Sequence, residues 1–301
     1  MQILEGYMPF HGLKTYYRVV GDPHAQKTPI VLLHGGPGST HNYFELLDCL
    51  AEDGRQVIMY DQIGCGLSGA PGHTELFNRE TWVEELVALR EHLGLAETYL
   101  LGQSWGGMLL LEYVCGYHPD GIRGIVLSST LPSSRLWSEE QHRMIREMPA
   151  ELQEAIRVAE EKGVYSNAAH PLYEAANREF LDRHCCPEHW PDSYPECLIR
   201  KKGSGHEAYV TAWGPNEFTP LGNLKDWDRI PDLGSIACPA LITSGLADEC
   251  TPYIAKLMYD SIPQAEWELF RYSRHCAYIE EREKYAAVLR SWLKRQDTAH
   301  A

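Results

Sequence analysis

The sequence lacks any long hydrophobic run, since no apolar stretch approaches the ~18 residues that a membrane-spanning helix requires. Its first residues, MQILEGYMPFHGLKTYYR, contain no basic stretch followed by an apolar core and a small-residue cleavage site, so no secretory signal is predicted. The nine cysteines are odd in number and irregularly spaced, which fits a reducing compartment better than a disulfide framework. We therefore expect a cytoplasmic protein with no membrane association.

Basic residues are also scarce. The 301 residues include 27 Lys and Arg against 42 Asp and Glu, which gives a formal net charge of -15. A charge of this sign repels nucleic-acid phosphates and anionic lipid surfaces, so we expect no nucleic-acid partner. The hydrophobic share of 44% and the charged share of 23% are ordinary for a globular chain and argue against a disordered, collagen-like or coiled-coil protein.

The sequence does contain a repeated alternation of short apolar runs and amphipathic segments. The runs are continuous and end in glycine-rich or acidic turns, as do strands that are buried on both faces of a parallel sheet. Residues 81–93 have apolar side chains at helical spacing, and Gly94 is a good stop signal. This alternation predicts an α/β fold with a mostly parallel central sheet. The first four apolar runs occupy residues 29–33, 56–60, 98–101 and 122–127.

The alternation is interrupted once. Residues 131–231 contain acidic and amphipathic helical stretches, such as 139–161, and loops rich in Trp, Tyr, Pro, Cys and His, but no strand pattern. Strand and helix patterns then resume toward the end of the chain. We expect residues 1–130 and 232–301 to form one α/β core, with residues 131–231 inserted into it as a helical cap.

A candidate nucleophile lies between a predicted strand and an apolar helix. Residues 102–106, Gly-Gln-Ser-Trp-Gly, satisfy the G-x-S-x-G pattern in the context that allows a sharp reversal with an exposed serine hydroxyl. A serine nucleophile needs a base, and the base needs an orienting acid, which in this arrangement follow in the order acid, then His, after later strands. Asp248 and His275 occupy those positions. The sequence therefore predicts Ser104, Asp248 and His275 as catalytic residues.

Two other carboxylates compete with Asp248 for the role of the orienting acid. Glu249 is adjacent and could exchange roles with it, although the register after the strand favours Asp248. Asp61 also ends a predicted strand, but it precedes the nucleophile and opens a tight turn, where a structural carboxylate is expected. Of the fourteen histidines, only His275 occupies the required place just after the last predicted strand.

The segment His-Gly-Gly-Pro-Gly at 34–38 directly follows a predicted strand, as does the loop that supplies a backbone donor to an oxyanion. We predict that the two donors of this oxyanion hole are the N–H groups of Gly36 and Trp105. Gly35 remains the alternative for the first donor, because the sequence does not orient the peptide. His34 is expected to brace the loop through hydrogen bonds rather than to carry protons.

Together these segments resemble the proline iminopeptidase family of α/β-hydrolases, which includes the tricorn-interacting aminopeptidases and related amino-acid amidases. The resemblance extends from about residue 6 to about residue 293. Ala212 departs from it, because many members carry a larger residue there, and the cysteine-rich stretch 184–190 matches only loosely. Four segments carry the resemblance: HGGPG at 34–38, DQIGCGLS at 61–68, GQSWGG at 102–107 and WGPNEF at 213–218.

The resemblance implies an α/β-hydrolase that releases the N-terminal residue, proline or another small apolar residue, from short peptides or amides through an acyl-enzyme. By position it implies that Glu217 and Glu249 hold the free amino group of the substrate. Carboxylates at a fixed distance from Ser104 would place the carbonyl of the first residue of the substrate, and no later one, at the nucleophile. Aromatic side chains of the insertion would then wall the pocket, although some must be plain core. These aromatics are Trp137, Phe180, Trp190, Tyr209, Trp213 and Phe218.

Several alternatives remain open at this point. An L-amino-acid amidase would use the same residues with a different leaving group, and a general carboxylesterase would lack the need for a free amine. A ligand-binding protein that retains the fold without catalysis is disfavoured by the complete set of Ser104, Asp248 and His275. No metal or organic cofactor is expected, because the predicted triad and oxyanion hole supply nucleophile, base and oxyanion stabilisation without one. The cluster of His184, Cys185, Cys186 and His189 is a weak candidate for zinc, since it lacks a second paired set of ligands.

Overall fold

The computed structural model describes residues 1–187, 190–191, 193–200, 203 and 205–299. Eight strands of these residues form one sheet, in the order β1-β2-β4-β3-β5-β6-β7-β8. β1 and β2 pair antiparallel, β2 pairs antiparallel with β4, and every later pairing is parallel. The strands are β1 (Ile3–Phe10), β2 (Leu13–Val20), β3 (Lys27–Leu33), β4 (Arg55–Tyr60), β5 (Thr98–Gln103), β6 (Ile122–Ser128), β7 (Ala240–Gly245) and β8 (Ala265–Phe270).

Helices cover the two faces of this sheet, and none of the described helices is long and apolar enough to cross a membrane. The α-helices are α1 (Arg79–His92), α2 (Trp105–Glu112), α3 (Ser134–Ile145), α4 (Ala150–Lys162), α5 (Tyr173–His184), α6 (Glu196–Ile199), α7 (His206–Ala212), α8 (Pro252–Ser261), α9 (Ala277–Glu280) and α10 (Arg282–Ala299). More tightly wound 3-10 helices lie at His41–Asp53, Gly66–Ser68, Thr74–Leu76 and Ile230–Ser235, and a π-helical turn lies at Tyr113–Tyr117.

The predicted α/β class and mostly parallel sheet are confirmed. All residues of β5 and β7 are buried, as are the last four of β3, because helices cover both faces of these central strands. Their continuous apolar sequences follow from this burial. The four predicted runs each fall inside an observed strand, and residues 81–93 overlap α1, which ends just before Gly94.

The two N-terminal strands are absent from the sequence prediction. β1 and β2 form an antiparallel hairpin at the edge of the sheet, and most of β1 is exposed or partly exposed. An edge strand needs no continuous apolar run, and Gly6 and Pro9 inside β1 obscure its pattern further. The sequence pattern of such a strand therefore differs from the continuous apolar runs by which buried strands are predicted.

The stretch between β6 and β7 contains helices α3 to α7. Its described residues form no strand, and their β-pairing is limited to an isolated bridge between Ser133 and Asp228. The single helical stretch predicted at 139–161 is wrong, because it is broken between α3 and α4. Pro149 lies immediately before α4, and a proline disfavours helical conformation in the residue that precedes it. Parts of α3, α4 and α5 share a small hydrophobic core of their own. Its members include Met144, Ile145, Ile156, Ala176, Phe180 and Phe218.

Candidate active site

Ser104 lies at the junction of β5 and α2 in a backbone conformation that a serine rarely adopts. Its φ is 55° and its ψ is -124°, and α2 begins at the next residue. The turn is tight enough that a Cβ added at Gly102 would lie 2.2 Å from the carbonyl oxygen of Gly106. Thr130 Oγ1 donates a hydrogen bond of 2.6 Å to the Ser104 carbonyl oxygen and holds the turn from the next strand end. The surrounding structure therefore maintains the strain at Ser104.

His275 and Asp248 come together from the ends of two neighbouring parallel strands, β8 and β7. His275 Nδ1 lies 2.8 Å from Asp248 Oδ1. Asp248 also accepts backbone hydrogen bonds from Gly245, at 3.1 Å, and from Cys250, at 2.8 Å. These bonds fix the carboxylate, and the carboxylate fixes the ring. His275 and Ser104 line one cavity of about 190 Å³.

The competing carboxylates occupy different positions around the site. Glu249 Oε1 lies 3.5 Å from His275 Nε2, so it faces the opposite ring nitrogen from Asp248. Asp61 accepts hydrogen bonds from the backbone N–H groups of His41 and Leu67, each at 2.8 Å. Asp61 therefore stabilises its own turn, as expected for a structural carboxylate.

The glycine-rich loop after β3 lines the same cavity through Gly35 and Gly36. The Gly35 N–H donates a hydrogen bond of 2.6 Å to the hydroxyl of Tyr43, so this donor is already engaged. Gly36 has a φ of 117°, and a Cβ there would lie 2.4 Å from the Gly38 nitrogen, so only glycine fits. Trp105 begins α2, where the first N–H groups of a helix have no intrahelical acceptor. The geometry thus favours Gly36 over Gly35 as the partner of Trp105.

The two carboxylates implied by the resemblance, Glu217 and Glu249, line the cavity together. Glu249 is 1% exposed, and its Oε2 has no hydrogen-bond partner among the described residues. Glu217 Oε1 accepts a hydrogen bond of 2.8 Å from the hydroxyl of Tyr209. The indole N–H of Trp137 donates to the Glu217 carbonyl oxygen at 2.9 Å and fixes its backbone. A buried carboxylate oxygen without a donor is costly, so this pair suits a cationic ligand.

Burial and mutual repulsion perturb the titration of these acids. Burial raises the pKa of Glu249 well above its ordinary value, although the nearby charge of His275 and a weaker interaction with the Cys185 thiol oppose the rise. Burial also raises the pKa of Glu217, against the hydrogen bond from Tyr209 and the charge of His275. For His275, burial lowers the pKa, but the charges of Glu249 and Asp248 outweigh it and raise the pKa to about 10. Strongly shifted groups around one cavity are typical of a functional site.

The cap aromatics contribute to the site differently from one another. Trp190 lines the cavity, whereas Phe180 and Phe218 are buried in the small core of the insertion. Trp137 contacts His275 edge-on, with 6.2 Å between the ring centroids, so the insertion reaches the base directly. Sequence reasoning missed Tyr43 as a cavity residue, because neither its spacing nor its neighbours mark it as part of a motif.

The cysteine-rich stretch also lies against the cavity. Cys185, Cys186 and Cys276 contribute to its wall. His189, the fourth member of the cluster considered above, lies outside the described residues. Within the described part of the chain, no group of three His, Cys, Asp or Glu side chains is arranged to hold a metal ion.

Comparison with known proteins identifies close relatives. A family model for the alpha/beta hydrolase fold matches residues 28–282. A curated proline iminopeptidase of Clostridium botulinum is 57% identical over 99% of this chain and 100% of its own length. A curated proline iminopeptidase of Clostridioides difficile is 56% identical over the same shares.

Solved structures agree with these matches. The crystal structure of a proline iminopeptidase from Mycobacterium smegmatis has a TM-score of 0.85 and 33% identity, covering 99% of this chain and 100% of that one. The crystal structure of VinJ has a TM-score of 0.86 and 34% identity, covering 97% and 99%. An esterase from Exiguobacterium antarcticum has a TM-score of 0.65, but at 21% identity it supports the fold alone.

Proposed function

Because this chain belongs to the proline iminopeptidase family of α/β-hydrolases, we propose that it is a serine aminopeptidase that releases N-terminal proline from short peptides. One observation carries the assignment to this site. Ser104 and His275 share a small cavity with Glu249, a buried carboxylate that has an unpartnered oxygen. A nucleophile and base beside a buried carboxyl group with one unsatisfied oxygen suit a substrate that carries a reactive carbonyl and a cation close together.

In the proposed mechanism, Ser104 Oγ attacks the carbonyl carbon of the first residue while His275 Nε2 accepts the hydroxyl proton. Asp248 holds the proton on His275 Nδ1 and stabilises the imidazolium that forms. The N–H groups of Gly36 and Trp105 donate to the oxyanion, and each such donor typically contributes ~3 kcal/mol to transition-state stabilisation. His275 then protonates the departing amine, which leaves an acyl-enzyme on Ser104. Water activated by His275 hydrolyses the acyl-enzyme and releases the amino acid.

We propose that Glu217 and Glu249 bind the ammonium of the substrate. A charge-assisted hydrogen bond of this kind contributes roughly 1.5–3 kcal/mol. Both carboxylates lie in the wall of the same cavity as Ser104, so binding the amine there fixes which carbonyl reaches the nucleophile. The cavity of about 190 Å³ is smaller than common ligand pockets of ~300–1,000 Å³, which supports release of a single small residue.

Residues 131–231 are proposed as a cap on a core made of residues 1–130 and 232–301. The contact of Trp137 with His275 supports the role of the insertion as a cap, because it brings the inserted helices onto the site. The expected cytoplasmic location is likewise a proposal. It is supported by the cysteines, which form no disulfide among the described residues.

A substrate panel tests the function directly. Prolyl, alanyl and phenylalanyl arylamides should be compared with prolinamide, and kcat/KM should be measured for each. The proposal predicts the highest kcat/KM for the prolyl arylamide. Faster turnover of alanyl or phenylalanyl arylamides would contradict the preference for proline, and faster turnover of prolinamide would favour an amidase.

A further inference from the structure

Gln62 is fully buried and lies between the two elements that carry the proposed oxyanion donors. The indole N–H of Trp105 donates a hydrogen bond of 2.7 Å to Gln62 Oε1. Gln62 Nε2 in turn donates to the carbonyl oxygen of His34 at 2.9 Å. The side-chain amide therefore joins the start of α2 to the glycine-rich loop after β3.

The backbone of Gln62 also sets the tautomer of His34. The Gln62 N–H donates to His34 Nε2 at 3.0 Å, so this nitrogen must be unprotonated. The ring proton then lies on Nδ1, which donates to the carbonyl oxygen of Gly35 at 2.9 Å. The imidazole is thus a neutral bridge between Gln62 and the loop.

The Gly35 carbonyl belongs to the same peptide unit as the Gly36 N–H. Because a trans peptide is planar, fixing the direction of the carbonyl also fixes the opposite direction of the N–H. The backbone N–H of Ser39 donates to the same carbonyl oxygen at 3.3 Å and adds a second restraint. Gly35 and Gly36 carry no side chain that could hold this orientation by packing.

We propose that Gln62 is a positioning residue that couples the segments of the two oxyanion donors. Its side-chain amide ties the Trp105 indole to the His34 carbonyl, and its backbone N–H orients the Gly36 N–H through the His34 ring. Any residue other than proline keeps the backbone bond at this position, so the role specific to glutamine is the side-chain link. The inference rests on the proposed function, in that Gly36 and Trp105 are its assigned donors. Glutamine suits the task because its amide both accepts from the indole and donates to the carbonyl. A glutamate would place an acceptor against the His34 carbonyl oxygen, and an apolar side chain would make neither bond.

The turn that carries Gln62 is itself held from α1. The Ile63 N–H donates to Glu85 Oε2 at 3.0 Å, and the Trp82 indole donates to the Ile63 carbonyl oxygen at 3.1 Å. Glu85 and Trp82 are both fully buried. Gln62 therefore projects from a fixed backbone, as a positioning role requires.

The test replaces Gln62 with Met, which has a similar length and no amide. We expect kcat for the prolyl arylamide to fall about ten- to a hundredfold, as for a misplacement of roughly 1 Å in a catalytic constellation, while KM changes less than about threefold. Inhibition by free proline should be unchanged, because the ammonium site is intact. Thr98→Val is the matched control, since it removes a buried hydroxyl from the far end of β5 and should leave kcat unchanged.

A fluorophosphonate separates this inference from the proposed function, because its reaction with Ser104 uses the oxyanion donors but needs no amine. Slower labelling of Gln62→Met supports the positioning role even if the wild type prefers a residue other than proline. Labelling at the wild-type rate, or a rise in KM with unchanged kcat, overturns it. If Gln62→Met does not fold, Trp105→Phe serves instead: it keeps an aromatic ring and removes the indole donor together with some buried volume. Slower labelling supports the role, and wild-type labelling overturns it.

Discussion

Two neighbouring buried acids of the candidate site, Asp248 and Glu249, differ in one respect. Asp248 is 1% exposed and has three partners: two backbone N–H groups and the ring of His275. Glu249 is equally buried, but its Oε2 has no partner among the described residues. Two residues that are adjacent in the sequence thus differ in whether their carboxylate oxygens have hydrogen-bond partners. A saturated carboxylate suits a fixed part of the machinery, whereas an unsaturated one suits a cation that comes and goes.

The proposed triad and the proposed amine site also differ in which parts of the chain supply them. Ser104, Asp248 and His275 all follow strands of the central sheet, whose ends share one edge. Glu217, by contrast, lies in the inserted helical segment. The proposed chemistry therefore belongs to the core alone, and the proposed recognition of the amine is shared between core and insertion. Changes in the insertion should alter substrate preference while they leave the acyl-transfer machinery intact.

The largest effect is expected from a substitution of Asp248. Asp248→Asn should lower kcat by about 10³- to 10⁴-fold, because the amide no longer holds the required tautomer of His275. The loss should be the same for a prolyl arylamide and for an aryl acetate, since both need the base. Steady-state kinetics on the folded variant checks this, and a loss smaller than tenfold would remove Asp248 from its proposed role.

A smaller and more selective effect is expected from a substitution of Glu249. Glu249→Gln keeps the size of the side chain but removes the charge, so kcat/KM for the prolyl arylamide should fall about ten- to a hundredfold. At a pH above the His275 midpoint, hydrolysis of the aryl acetate should change less than about twofold, because no ammonium is involved. The exposed Glu151→Gln on α4 is the control and should match the wild type. Equal losses on both substrates would assign Glu249 to the chemistry instead.

Glu217→Gln should give the same pattern as Glu249→Gln, because both carboxylates are proposed to bind one ammonium. The fall in kcat/KM is again expected to be about ten- to a hundredfold for the prolyl arylamide. A variant that retains wild-type kcat/KM would leave Glu217 with only its hydrogen bond to Tyr209. Recognition would then belong to the core alone.

The smallest expected effect is a shift in pH dependence. Attack by Ser104 needs a neutral His275, whose pKa is lowered by burial but raised more strongly by Glu249 and Asp248, to about 10. The rate with an aryl acetate should therefore rise with pH to a midpoint above the ordinary histidine value. Glu249→Gln should lower this midpoint, and a prolyl substrate should lower it in the wild type, because its ammonium neutralises the same charge. Identical midpoints in all three titrations would contradict the coupling.

The raised pKa of His275 also makes the free energy of unfolding depend on pH. Since the folded-state pKa of His275 exceeds the ordinary value of 6.5, its protonation stabilises the fold fully below pH 6.5, and this contribution is lost as the pH rises toward 10. Urea unfolding of wild type and His275→Gln at pH 6 and pH 10 measures it. The difference in unfolding free energy should be larger at pH 6.

Much of the core could be predicted from the sequence because its determinants are local. Buried parallel strands read as apolar runs, and the reversal at Ser104 demands glycines two residues to either side. The sheet class is confirmed on that basis. The edge hairpin has no continuous apolar run and was not predicted. The amphipathic pattern predicted one helical stretch at 139–161, whereas the helix is interrupted before Pro149.

The site was harder to predict wherever it depends on contacts across the fold. The placement of Gln62 between Trp105 and His34 joins three segments of the chain, and no spacing within the sequence indicates it. The unpartnered oxygen of Glu249 is likewise a property of packing rather than of residue type. The assigned roles of Ser104, Asp248 and His275 stay predictions until variants are measured.

The most direct test compares a prolyl arylamide with its N-acetylprolyl counterpart on the wild-type enzyme. Acetylation removes the positive charge and adds bulk at the position where Glu217 and Glu249 are proposed to bind. The account predicts that kcat/KM for the acetylated substrate is at least ~100-fold lower, because a site built to pair a polar group rejects an analogue that lacks it. Cleavage of both substrates at the same rate would contradict recognition of the amino terminus and would leave a broad esterase or amidase as the better description.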